Sequence, residues 1–362
     1  MTFTSIPILK YTDSLHPTTK PSFLLSLQHA LINVGFFYLT DCPISPSQQE
    51  NLLSKCKALF ALPEQKKLEI EMVNSPHFLG YSRLGAEITA RRMDWREQFD
   101  FATELPAPGP EEPLYKNIRG PNQWPDEKYI PGFRHTLETY LAALAPIAEH
   151  FQALIAEALG LEASALKDLF DEPVQQKLKL IKYPAPTSSS DEGSSQGVGP
   201  HKDSEFLTFL YQATPHKGLE VQNKQGQWIA ADPIPGSLVV NIGRALEAIT
   251  QGVCVATTHR VNLSSENYTS DNGTSLGPRF SIPVFQGMSL DLVIGEIELG
   301  IPAHIRALAG ENETRSDAEK TFNSAFSART GEGTFLHRII SHRDVGERWY
   351  PDVLRRALEE YN

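Results

Sequence analysis

An α+β protein with a mainly β core, a sandwich or jelly-roll barrel set between helical flanks, is what this sequence predicts. Three observations carry the prediction. From Lys177 to Phe285, short β-prone runs alternate with Gly, Pro and Asn turns. On either side of that region, apolar residues recur at helical spacing. A histidine–carboxylate pair, His201-Lys202-Asp203, heads the β region, and His259 follows 56 positions after Asp203.

Taken in order, residues 5–9 read as a short strand with Pro7 near its edge. Residues 21–33 predict a helix, with Leu24, Leu25, Leu27, Ala30 and Leu31 at helical spacing. Residues 34–40 are an aromatic, β-prone run bounded by Cys42-Pro43. A second helix is expected over 45–61, capped by Ser45 with Pro46 at its first position. Another short helix begins near Leu62. Residues 74–125 are less regular and turn Pro-rich. The strongest helical segment is 126–160, broken or capped near Pro131 and Pro146, and 163–170 predict a shorter helix. Strands follow at 178–183, 206–211, 219–222, 238–242, 257–261 and 279–285, and the Ser- and Gly-rich residues 187–199 read as a flexible loop entering His201. After Ala303 the pattern returns to helix, apart from a strand-like Ile339-Ile340 flanked by His337 and His342, which read as structural. This gives an N-terminal mixed region (1–125), a helical support (126–175), a β-core (176–290) and a C-terminal helical extension (291–362), read as one compact unit.

The 362 residues carry a formal charge of −11, which argues against a sequence-independent nucleic-acid binder. No apolar run approaches the ~20 residues that span a bilayer, and the N-terminus lacks the pattern of a secretory signal. Three cysteines without metal-type spacing fit a reducing compartment, so a cytoplasmic protein is expected, with the thiols as small buried hydrophobes.

Two ligands at i and i+2 on a strand face the same way, which turns Lys202 away from them. A third imidazole from a distant strand completes two nitrogens and a carboxylate on one side of a metal, the set that suits Fe(II) in an oxygenase. Zinc hydrolases often place His-Glu-x-x-His on a helix, and no such pair occurs here. Arg279 and Ser281 share one strand face by the same i, i+2 rule and suggest a carboxylate-bearing co-ligand nearby.

At these residues the chain resembles the Fe(II)/2-oxoglutarate-dependent dioxygenases, in the isopenicillin N synthase-like branch. The similarity extends to Ser5-Ile6-Pro7-Ile8, Gly35-Phe36-Phe37-Tyr38-Leu39, Phe60-Ala61-Leu62-Pro63 and Gly80-Tyr81. The resemblance implies a double-stranded β-helix, with His201, Asp203 and His259 as iron ligands. It implies 2-oxoglutarate and O2 as co-substrates, the former held by Arg279, Ser281 and Tyr183. Ile181 stands where relatives often carry Asn, and Arg244 where they often carry Asp. For the substrate wall, family position suggests Tyr81, Arg91, Arg92, Phe101, Phe209, Tyr211, Arg244 and Phe285. The implied reaction is oxidation of a C–H bond in a small molecule, a specialised-metabolite intermediate, by hydroxylation, desaturation or ring closure. An oxidase that does not use 2-oxoglutarate and a non-catalytic binding barrel are the alternatives.

Overall fold

The computed structural model describes residues 2–89, 92–185, 196–270, 272–310 and 329–361. Its strands, in chain order, are β1 (Ile8–Lys10), β2 (Phe36–Thr40), β3 (Gly80–Ser82), β4 (Ile88–Thr89), β5 (Arg92–Met93), β6 (Glu97–Ala102) and β7 (Gln176–Tyr183). They continue with β8 (Gln196–His201), β9 (Leu207–Gln212), β10 (Leu219–Gln222), β11 (Trp228–Ala230), β12 (Leu238–Ile242), β13 (His259–Asn262) and β14 (Arg279–Gln286). An eight-stranded sheet in the order β1-β2-β12-β9-β14-β7-β6-β3 faces a four-stranded one ordered β11-β10-β13-β8. The first 125 residues thus contribute four strands to the larger sheet. Apart from β1 on β2, the pairings are antiparallel.

Strand alternation divides the larger sheet into two faces. Leu178 and Leu180 on β7, Phe209 on β9, and Phe280, Ile282 and Val284 on β14 are buried in the main apolar core. Their neighbours Lys179, Ile181, Tyr183, Thr208, Leu210, Arg279 and Ser281 turn the other way, into a cavity. Helices α1 (Lys20–His29), α2 (Pro46–Phe60) and α4 (Phe133–Ala158), with the short α3 (Glu64–Leu68) between, follow in the chain. From α4, Phe151 packs on Phe37 and Phe209, with ring centroids 5.7 and 6.0 Å apart, and on Phe23 of α1. Full burial of such a ring contributes about 1.5–3 kcal/mol, so this helix fixes the sheet from behind.

Local chemistry accounts for the entry to β2. Helix α1 runs into a π-turn over Ala30–Val34, and Gly35 ends it at φ 75°. A Cβ there would meet Thr257 Oγ1 at 2.3 Å, so only glycine combines that conformation with that contact. Ser45 caps α2 in a capping box with Gln48, as its position before Pro46 predicts.

Two expected elements differ. Residues 163–170 form only a 3-10 turn at Lys167–Leu169, since Leu166 and Phe170 bury one turn and the intervening residues are polar or half-exposed. The strand-like Ile339-Ile340 belongs to a helix. Past α5 (Arg244–Ile249) and α6 (Ala303–Leu308), α7 (Thr330–Ser341) buries Phe335 and Ile339 at i and i+4, a spacing that overrides β-branched propensity. Helices α8 (Arg343–Trp349) and α9 (Pro351–Tyr361) follow, and Tyr350 stacks on Phe78 to tie the tail down. Among the described residues no helix is long and apolar enough to cross a membrane.

Candidate active site

β8 ends at His201, so Asp203 lies just past the strand, in the turn before β9. The expectation that both ligands sit on the strand itself is corrected to that extent. Asp203 is held instead by backbone. Its carbonyl accepts from Arg244 N at 2.8 Å, tying the turn to the start of α5. Lys202 turns away from the ligand atoms, and its ammonium lies 3.5 Å from Glu247. His259 opens β13 directly opposite His201 in the register of the smaller sheet.

The ligand atoms converge. His201 Nε2 and His259 Nε2 lie 3.5 and 3.7 Å from Asp203 Oδ1, and one ligand atom from each of the three falls within 4.8 Å of the others. Each imidazole has its Nδ1 against a carbonyl, Gly199 O at 2.8 Å and Thr257 O at 3.2 Å. A carbonyl only accepts, so Nδ1 carries the proton and Nε2 presents a lone pair. On Asp203, Oδ2 accepts from Thr208 Oγ1 at 2.5 Å and from Asn241 Nδ2 at 2.8 Å, which leaves Oδ1 for a metal.

Burial works against the Asp203 carboxylate, but His259 and His201 beside it, with the Asn241 amide, hold it well below the usual carboxylate range. Burial and then His201 push His259 down to about 4, so its ring is neutral near pH 7. A metal ligand requires these two protonation states.

Arg279 lies on the same side of the larger sheet, 1% exposed, with its guanidinium carbon 4.9 Å from the centre of the Tyr183 ring. Its Nη1 is buried and has no hydrogen-bond partner among the described residues. An orphaned, buried guanidinium beside the Ser281 hydroxyl is what a dicarboxylate co-substrate would complete. Two imidazoles, one carboxylate and this arginine therefore fit both Fe(II) and 2-oxoglutarate.

The surrounding cavity holds about 880 Å³. Of the residues expected on the substrate wall, Arg244 and Phe285 line it. Tyr81, Phe101, Phe209 and Tyr211 are placed on the helix-packed face of the larger sheet. Tyr81 donates its hydroxyl to Glu97 at 2.8 Å, and Phe101 stacks on Trp124 at 5.1 Å. Arg92 is exposed on β5, and Arg91 lies outside the described residues. Thr208 and Asn241 were not among the expected site residues, nor were the wall cations Lys177, Lys179 and Arg338. None of the three cysteines lines the cavity, and burial pushes the Cys42 and Cys254 thiols up to about 12.

Comparison with known proteins agrees with this geometry. Residues 6–127 match the family described as non-haem dioxygenase in morphine synthesis N-terminal, and residues 175–287 match the 2OG-Fe(II) oxygenase superfamily. A 2-oxoglutarate-dependent dioxygenase of Gibberella zeae is 45% identical over 99% of this chain and 94% of its own length. The 2-oxoglutarate-dependent dioxygenase frbJ of a Dothideomycetidae species is 44% identical over 100% and 96%. Among solved structures, a full-length Neurospora crassa protein in complex with alpha-KG and thymine superposes with a TM-score of 0.68 at 27% identity, covering 79% of this chain and 87% of that one. The chain belongs to the 2OG-Fe(II) oxygenase superfamily. It is a 2-oxoglutarate-dependent dioxygenase with a jelly-roll core, using Fe(II), 2-oxoglutarate and O2.

Proposed function

We propose that His201, Asp203 and His259 hold the iron, that Arg279 and Ser281 anchor the distal carboxylate of 2-oxoglutarate, and that the cavity beside them binds a small specialised-metabolite intermediate. The observation that carries this reading is the set of hydrogen bonds to the carbonyls of Gly199 and Thr257 and from the side chains of Thr208 and Asn241, which leaves one ligand atom free on each of three converging residues. Iron(II) with 2-oxoglutarate and O2 supplies the oxidising power for a C–H bond, with release of succinate and CO2.

The chain's own residues position and exclude. Tyr183, 1% exposed and packed on the Arg279 guanidinium, walls the co-substrate end from water. The cavity volume suits a small molecule rather than a polymer. Relatives include a homoarginine-6-hydroxylase of Oryza sativa at 29% identity, and the Neurospora crassa protein was solved with thymine, which supports a small polar substrate here.

Oxygen consumption and succinate release, measured with Fe(II) and 2-oxoglutarate across a panel of polar metabolites, test the proposal. One or more panel members should stimulate both above the basal rate, and His201→Ala should abolish iron binding and turnover. Full product formation without 2-oxoglutarate, or unchanged iron binding in His201→Ala, would overturn it.

A further inference from the structure

The pairing of β7 with β14 sets out one wall of the cavity in rows. Arg279 faces Tyr183 and Ser281 faces Ile181 at the co-substrate end, while Phe285 faces Lys177 at the other. Lys177 precedes Ile181 by four positions along β7, so these ends stand roughly 13 Å apart. The far end is rich in charge, although the chain as a whole is acidic.

Most of that charge is matched. Asp100, fully buried behind the wall, takes Lys177 at 3.1 Å and Lys179 at 2.9 Å. Glu87 takes Arg96, Lys179 at 3.6 Å and His342 at 3.1 Å, and Asp94 lies 3.4 Å from Arg96. Three carboxylates are thereby shared by Arg96, Lys177 and Lys179. Elsewhere on the wall, Lys202 pairs with Glu247 and Arg119 with Asp171.

Arg338, which α7 brings to the same wall, belongs to none of these pairs; its wall neighbour Arg329 donates to the Asp291 carbonyl. No carboxylate of a described residue lies within 4 Å of its guanidinium, whereas Asp100 is already occupied by two lysines. Its field reaches the cavity: burial first, and then Arg338, push the Lys177 ammonium down from its ordinary value. A guanidinium offers a planar fork suited to a carboxylate or a phosphate.

We propose that Arg338 is a specificity residue, and that it binds an anionic group, carboxylate or phosphate, carried by the substrate at the end of the cavity remote from Arg279. The inference rests on the assignment of the iron and 2-oxoglutarate sites above. It predicts that a substrate spans the cavity with its anion on α7 and its reacting carbon toward the His201, Asp203 and His259 cluster.

The test is calorimetric titration of the full chain loaded with Mn(II) and saturated with 2-oxoglutarate. The probes are hexanoate, hexyl phosphate and the neutral hexanamide. Hexanoate or hexyl phosphate should bind about tenfold or more tightly than hexanamide, and the better of the two identifies the anion. Arg338→Gln should remove that preference while still binding hexanamide, which shows that the cavity has kept its shape. Arg338→Lys should recover part of it. Equal binding of all three probes by the unaltered protein, or an undiminished anion preference in Arg338→Gln, would overturn the proposal. Failure of the Mn(II)-loaded protein to bind 2-oxoglutarate would instead defeat the assignment on which it rests.

Discussion

Thr208 donates its hydroxyl to Asp203 Oδ2 at 2.5 Å from the adjoining strand, and so decides which carboxylate oxygen faces His201 and His259. Asn241 holds the same oxygen from β12. An unrestrained aspartate would spread its lone pairs over several rotamers; this one presents Oδ1 alone. Thr208→Val keeps the shape of the side chain but removes the donor. It should weaken Fe(II) or Mn(II) binding by about 10- to 100-fold with little change in fold. Metal titration of the apoprotein checks this, and unaltered affinity would show that Asn241 suffices.

Arg279 gives a prediction of opposite sign for stability and function. Its guanidinium is buried with Nη1 unmatched, so in the absence of co-substrate it is a cost to the fold. Arg279→Leu should melt at or above the temperature of the unaltered apoprotein. The same change should weaken 2-oxoglutarate binding by about 2–5 kcal/mol, because a buried charge pair can no longer form. Melting curves with and without 2-oxoglutarate read both effects. A variant still stabilised by 2-oxoglutarate would remove Arg279 from the site.

The residues of the proposed site that the sequence singled out are those whose chemistry is unusual for their place. His201, Asp203 and His259 combine metal-binding side chains with strand periodicity, and Arg279 with Ser281 repeats that periodicity on another strand. Asn241 could have been found in the same way, as an amide inside the otherwise apolar run Leu238–Ile242. The aromatics were harder. Phe209 and Tyr211 alternate with Thr208 and Leu210 on a strand covered on both faces, and nothing local says which face meets the cavity. Arg338 was out of reach for another reason: its place depends on α7 folding back across the barrel, a tertiary event without a short-range signal.

Asp100 predicts a dependence of stability on pH. Burial favours its neutral form, but Lys177 and Lys179 outweigh burial and hold the carboxyl far below its ordinary value of 3.8. A depressed folded value means that the stabilisation is complete above the unfolded value and fades as pH falls through the folded one. Urea midpoints should therefore drop steeply below about pH 4. Asp100→Asn should flatten that acid limb. It should also cost about 3–5 kcal/mol at neutral pH, since two ammonium groups lose their common partner. An acid limb equally steep in the variant would place the titration elsewhere.

Gly243 lies against the turn that carries Asp203, one of the three proposed iron ligands. Its φ of −94° and ψ of 169° suit any residue, so conformational strain is not what requires glycine here. A Cβ at this position would lie 1.8 Å from the carbonyl oxygen of Glu205, a backbone atom that cannot rotate away. Gly243 N also donates to Phe206 O at 3.0 Å, and Arg244 N to Asp203 O at 2.8 Å, so the turn carrying Asp203 is packed directly on this residue. Gly243→Ala must push residues 203–206 off α5. It should cost about 1–3 kcal/mol or more in stability and lower metal affinity along with it. Gly295→Ala, where a Cβ meets nothing within 4 Å, is the matched control and should change both within error. Denaturant titration and metal titration of the two variants decide the matter: if they behave alike, the contact with Glu205 does not hold Asp203 in place.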